Sequence, residues 1–232
     1  MDLSEARAFA RQKVDAVRER QQPFARQRTA AVANRLQKVL KAFEAERVGT
    51  QHFASVSGYG HGDQGREVID RVFARVLGAE AAAVRLQFVS GTHAIAAALF
   101  GVLRPGDCLL SITGRPYDTL EEVIGLRGEG QGSLRDFGIV YDELQLTAAG
   151  EVDEQSLEQA LDVPRRLILM QRSCGYSWRP SLSVQIIGRL CERIHDRQPD
   201  CVCFVDNCYG ELVEAQEPSE VDADLVAGSL IL

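Results

Sequence analysis

The stretch Val89-Ser90-Gly91-Thr92-His93 decides the fold, because it separates two apolar runs of different character. Ala83 to Val89 reads as a buried strand, and Ala94 to Leu103 reads as a helix. Ser90 to His93 is then a strand-to-helix turn with small and hydroxylic residues at the helix start. Free backbone N–H groups and the positive end of the helix dipole make such a turn a cup for an anion, a phosphate above all. Many Ser-Gly-Thr turns are only helix caps, so this one needs partners before it carries a function.

Working outward, the same alternation repeats. Strands are expected at Asp107 to Ile112, Phe137 to Tyr141, Leu167 to Met170, Cys201 to Val205 and Asp224 to Val226. Between them fall a helix start within Tyr117 to Leu126, a helix from Asp153 to Leu161 capped by Asp153, and a helix from Leu182 to Ile194. Continuously apolar strands alternating with helices define an α/β fold, a mostly parallel sheet covered on both faces. Before it, Ser4 can cap a helix to about Arg20 that Pro23 breaks. A second helix from about Thr29 to Val48 places Val32, Leu36, Val39, Leu40 and Phe43 on one face. The expected division is a helical segment over 1–50 and a large domain over 51–232.

At 232 residues with 45% apolar content, the chain can bury a substantial core. Its net charge of −7 is spread without long blocks, which gives no sign of nucleic-acid or membrane-surface binding. The amino terminus is charged at helical intervals, so neither a signal peptide nor a membrane span is expected there. Six cysteines, Cys108, Cys174, Cys191, Cys201, Cys203 and Cys208, show no paired CxxC spacing. They are expected to be reduced thiols of a cytoplasmic protein with no metal site, the alternative being a zinc site or a disulfide framework.

In a parallel sheet the ligand lies beyond the carboxyl ends of the strands. That rule selects Ser90 to His93, Thr113 to Tyr117, Arg172 to Tyr176 and Asp206 to Tyr209. Asp206 ends an apolar strand, where its carboxylate needs a partner: a nearby backbone N–H, or a proton on a heteroaromatic nitrogen. Tyr117 follows Gly114 and Pro116 on a stiff loop, where its ring can pack at the surface or lie against a planar ligand. An anion cup, an aromatic plate and a strand-end aspartate together describe a site for a flat, phosphorylated pyridine. A competing signal is the GxGxxG match at Gly60, Gly62 and Gly65, with Glu80 downstream, which raises a dinucleotide-dependent oxidoreductase. Glu80 precedes an expected strand instead of ending one, which argues against that use.

Seven segments carry a family resemblance: Gly58-Tyr59-Gly60 with Gly65-Arg66, Val89 to Ala94, Leu103 to Asp107, Gly114 to Leu120, Gly175 to Pro180, Asp206 to Gly210, and Ala227 to Ile231. With these the chain resembles pyridoxal-phosphate enzymes of the aspartate aminotransferase fold, most closely the aluminium-resistance or methionine gamma-lyase-like proteins related to cystathionine lyases. The resemblance implies a PLP-dependent transferase-like large domain and a carbon-sulfur lyase acting on sulfur amino acids, homo-oligomeric in the family. It implies that Ser90, Gly91 and Thr92 hold the cofactor phosphate, that Ser229 adds a hydroxyl, and that Tyr59 reaches a neighbouring subunit's phosphate. It further implies that Tyr117 stacks on the ring, that Asp206 pairs with the pyridine nitrogen, and that Arg172 and Arg179 are candidate clamps for a substrate carboxylate. The family's Schiff-base lysine would stand at Leu232, where an aliphatic side chain cannot replace it. The three lysines, Lys13, Lys38 and Lys41, lie far away in sequence. Whether the chain is an enzyme is therefore open, and the expectation is a truncated, inactive lyase lacking the family's carboxyl-terminal small domain. The alternative is a non-catalytic relative that binds the cofactor or pairs with a full-length subunit.

Overall fold

A computed structural model describes residues 2–56, 62–128 and 132–230. Its elements run in the order α1 (Leu3–Ala45), α2 (Gln64–Leu77), α3 (Gly91–Val102), β1 (Cys108–Ser111), α4 (Asp118–Ile124), β2 (Val140–Glu143), α5 (Glu154–Ala160), β3 (Leu167–Gln171), α6 (Val184–Arg197), β4 (Val202–Asp206) and β5 (Leu225–Ala227). The five strands form one sheet in the order β2-β1-β3-β4-β5, and every pairing is parallel.

Burial explains why these segments became strands. Successive side chains on a strand point to opposite faces, and both faces here are covered. Leu110, Ile112, Ile168, Met170, Cys203 and Val205 pack against Leu157 of α5 and Ile187, Leu190 and Ile194 of α6. Leu109, Leu167, Leu169, Phe204 and Ala227 pack against Ile95 and Leu99 of α3 and Leu120 and Ile124 of α4. The α/β class and the doubly covered sheet are as the apolar runs indicate. Strand bounds agree with the sequence reading to a residue or so, except β2, which starts three residues later because Leu134 to Gly138 closes a turn first.

Two elements differ. The run Ala83 to Val89 is not a strand. Its backbone and side chains are drawn to α2: the Val84 N–H donates to Asp70 Oδ1 at 2.8 Å, and Arg85 holds both Asp70 oxygens at 2.6 and 2.7 Å. A turn at Arg85 to Phe88 follows, leaving Leu86 and Val89 exposed. Without a hydrogen-bonded neighbour an apolar run has nothing to make it a strand.

The amino-terminal region is one helix where two were expected. It runs through Pro23 and is capped by Asp2, not Ser4, in a capping box with Glu5. Pro23 removes one ladder bond, but the helix is solvent-exposed there, so the freed carbonyl meets water. Only its last third meets the body: Val39 and Ala42 pack on Val68, Val72 and Val76 of α2, and Lys38 pairs with Glu220 at 2.9 Å. The stripe Val32, Leu36, Leu40 and Phe43 stays exposed, about a quarter-turn away from the contacting face. No helix among the described residues is long and apolar enough to cross a membrane.

Candidate cofactor site at the carboxyl edge of the sheet

Ser90 is the N-cap of α3, its hydroxyl accepting from the His93 N–H at 3.1 Å. That bond satisfies one of the first-turn donors and leaves the N–H groups of Gly91 and Thr92 pointing outward from the positive end of the helix. The Thr92 hydroxyl lies 3.1 Å from Tyr117 Oη and 3.1 Å from Thr119 Oγ1. Tyr117 is the residue from which α4 starts, and its ring is half-buried against the α3/α4 face of the sheet.

Asp206 arrives from β4. Phe204 and Asp206 share a face by the two-residue period, so the carboxylate points to the α3 side of the sheet. It is 3% exposed and accepts from the Cys208 N–H at 3.1 Å. Burial raises its pKa above the usual carboxylate value, the Cys208 contacts lower it, and Glu211 raises it again. Burial also pushes the Tyr117 hydroxyl up to about 12, opposed by its bond with Thr92 and assisted by the charge of Asp206.

Gly91 ties these pieces together. A Cβ there would stand 2.9 Å from Cys208 Sγ and 3.5 Å from Ser229 Cβ, so the helix start is seated directly on the loops that follow β4 and β5. The Ser229 N–H donates to Glu211 Oε1 at 2.6 Å, which fixes the second loop to the first. Gly91→Ala is expected to cost about 1–3 kcal/mol in denaturant unfolding, because the added methyl must displace Cys208; an unchanged midpoint would show a looser seat.

Five of the expected site residues, Ser90, Gly91, Thr92, Tyr117 and Asp206, thus meet at one corner, with Ser229 beside them. Tyr59 and Leu232 lie outside the described residues. Arg172 and Arg179 both bond to other parts of the chain, Arg172 in a buried network and Arg179 through backbone carbonyls alone. Arg172 is 3% exposed and donates to Leu182 O, Asn207 Oδ1, Gly210 O and Glu214 Oε1. Arg179 donates to the carbonyls of Gln171, Ser173 and Pro180. Sequence reasoning assigned no role to Thr119 or Glu211 and reached Cys208 only as part of the Asp206 to Tyr209 loop. Thr119 stands two residues after Tyr117 in the first turn of α4, and that position was the available signal.

The glycine-rich loop does not make a dinucleotide site from its described part. Gly62 and Gly65 lead into α2, no strand among the described residues precedes that helix, and Asp63 caps it with its carboxylate accepting from Arg66 N–H. A carboxylate already at the helix start repels a pyrophosphate there. Gly60 lies outside the described residues.

The all-parallel α/β sheet brings a hydroxyl-rich helix start, an aromatic ring and a buried acid together at its carboxyl edge. The methionine gamma-lyase family model matches residues 10–232, and the chain belongs to that family. Among its relatives, YnbB of Bacillus subtilis (strain 168), described as uncharacterized, is 48% identical over 195 residues, covering 84% of this chain and 46% of YnbB. A crystal structure from Listeria monocytogenes, described as a candidate cystathionine beta-lyase involved in aluminium resistance, is 45% identical with a TM-score of 0.90. It covers 94% of this chain and 54% of that one. A carbon-sulfur lyase involved in aluminium resistance from Clostridium novyi NT is 44% identical with a TM-score of 0.86, covering 94% and 52%. The chain spans about half the length of these relatives.

The residues fit pyridoxal phosphate, the cofactor the family implies. The crowding at Gly91 keeps backbone, not side chain, at the helix start, and the donor set matches a phosphate on one side and a protonated ring nitrogen on the other.

Proposed function

We propose that residues 1–232 form the cofactor-binding half of a pyridoxal-phosphate carbon-sulfur lyase acting on sulfur amino acids. The observation that carries this reading is the convergence of Ser90 to Thr92, Tyr117 and Asp206 at one edge of the sheet. The bound cofactor supplies an electron sink for a carbanion at the substrate α-carbon. The free N–H groups of α3, with the Thr92 and Ser229 hydroxyls, hold the phosphate dianion. Tyr117 offers a ring face, anchored through its bond to Thr92. Asp206 accepts the ring N–H and keeps the proton on that nitrogen, and a cationic partner there relieves the burial cost its charge bears alone.

For the substrate carboxylate, Arg179 is favoured over Arg172. Its partners are three backbone carbonyls, two of them half-buried and one exposed, whereas releasing Arg172 would break a buried network. Tyr59 belongs to the same reading as a phosphate ligand across a subunit boundary. The exposed stripe on α1 supports assembly with a second copy. Six free cysteines support a cytoplasmic setting.

We further propose that these 232 residues alone do not turn substrate over. Lys13, Lys38 and Lys41 all lie on α1, and Lys38 is paired with Glu220. The test adds pyridoxal phosphate to the purified chain, reduces with borohydride, maps labelled peptides and assays thiol release from sulfur amino acids. Saturable cofactor binding without turnover is expected. Turnover accompanied by stoichiometric labelling of one of the three lysines would overturn this second proposal, and absence of any saturable binding would overturn the first.

A further inference from the structure

At the opposite, amino-terminal edge of the sheet, three side chains of metal-ligand type converge from three elements. His195 comes from the last turn of α6, Cys203 from β4, and Asp224 from the residue just before β5. Their donor atoms all lie within 4.8 Å of one another. His195 Nε2 is 2.9 Å from Asp224 Oδ2, which also accepts from the Cys203 N–H at 2.7 Å. Cys203 is fully buried, Asp224 is exposed, and His195 stands between, so the trio leads from solvent into the core. Cys203 lies three residues before Asp206 on the same strand, about 10 Å away, and points to the other face. This group is separate from the cofactor corner.

We propose that His195, Cys203 and Asp224 bind a thiophilic divalent cation of the zinc type, with water completing a four-coordinate shell. One sulfur, one imidazole nitrogen and one carboxylate oxygen form a borderline-soft donor set, poor for calcium or magnesium and suited to zinc. Ligand atoms about 2.0–2.3 Å from a tetrahedral ion stand roughly 3.3–3.6 Å apart. The His195–Asp224 separation therefore needs to open only by a few tenths of an ångström, and Cys203 Sγ is already within reach.

Binding replaces the Cys203 thiol proton with the metal and releases that proton to solvent, while His195 ligates through Nε2 and carries its proton on Nδ1. The Cys203 N–H bond to Asp224 then orients a ligating carboxylate. Spacings of eight and twenty-one residues between the ligands hide the trio from any CxxC-type search.

The experiment titrates cobalt(II), then zinc(II), into the purified chain kept reduced and freed of metal by a chelator. Expected is one equivalent of cobalt with a sulfur-to-cobalt charge-transfer band, displaced by zinc. His195→Gln and Asp224→Asn, both nearer the surface, should each weaken zinc about tenfold or more. Cys203→Ser should abolish the band, whereas Cys174→Ser should leave it intact. Because Cys203 is in the core, the two surface variants carry the test if that substitution fails to fold. Absence of stoichiometric cobalt, or zinc affinity unchanged in both surface variants, would overturn the proposal and leave His195–Asp224 as a simple tie between α6 and the loop before β5.

Discussion

Asp206→Asn is expected to weaken pyridoxal-phosphate binding by roughly tenfold to a hundredfold, the equivalent of about 1.5–3 kcal/mol for a hydrogen bond to a charged group. The apo chain should not lose stability in parallel. An asparagine oxygen can still accept from the Cys208 N–H, and the substitution removes a carboxylate whose burial is costly. Ligand affinity and apo stability thus move in different directions, which a merely structural aspartate would not produce. The pH dependence follows with the same sign. The folded pKa of Asp206 is raised, so its stabilising contribution is present below the unfolded value and is lost as pH rises through the folded one. The Asn variant should lose that part of the slope in urea unfolding measured across the acidic range.

Arg172→Met is expected to destabilise the chain by about 3–5 kcal/mol, because it breaks a buried ion-paired network from one side. Its guanidinium bonds Asn207 Oδ1 at 2.6 Å, Gly210 O at 2.8 Å and Glu214 Oε1 at 2.7 Å, and stands 4.0 Å from Glu217. Glu217 is itself 1% exposed and accepts from Asn207 Nδ2 at 3.0 Å and from the Leu212 N–H at 2.7 Å. Burial raises the Glu217 pKa above its ordinary 4.5, and Arg172 is among the groups that lower it. Removing Arg172 drives that pKa further up. The folded state of the variant then holds the Glu217 proton more tightly, and its deficit should grow as pH rises through the native chain's own raised Glu217 pKa. Chemical unfolding at several pH values measures it. A deficit under about 1 kcal/mol would mean that Arg172 is free enough to serve as a substrate clamp after all.

Much of this architecture was legible in the residues. Strands β1, β3 and β4 are short, apolar on both faces and flanked by turn residues, and such runs have few other ways to be buried. The caps at Ser90 and Asp153 could be read because a hydroxyl or carboxylate before an amphipathic run has a local job. Ala83 to Val89 was misread for the complementary reason: a strand is defined by its neighbour, and here Asp70 of α2 takes up the segment's donors. The unbroken α1 escaped notice because a proline costs less where the opened carbonyl faces water. At the cofactor corner, Ser90, Tyr117 and Asp206 were marked by their places at element ends. The roles of Cys208 and Glu211 depend on how the loops after β4 and β5 cross the start of α3, a tertiary fact with no local signature. The fate of Arg172 was hidden in the same way, since its partners Asn207, Gly210 and Glu214 lie about forty residues downstream.

The most direct test of the central claim compares calorimetric titrations of pyridoxal phosphate and of pyridoxal, which lacks the phosphate, into the chain and into its Thr92→Val variant. The account predicts that pyridoxal phosphate binds the native chain much more tightly than pyridoxal does, and that Thr92→Val erodes this preference by removing a hydroxyl from the start of α3. Equal affinity for the two ligands, or a phosphate preference untouched in the variant, would contradict it.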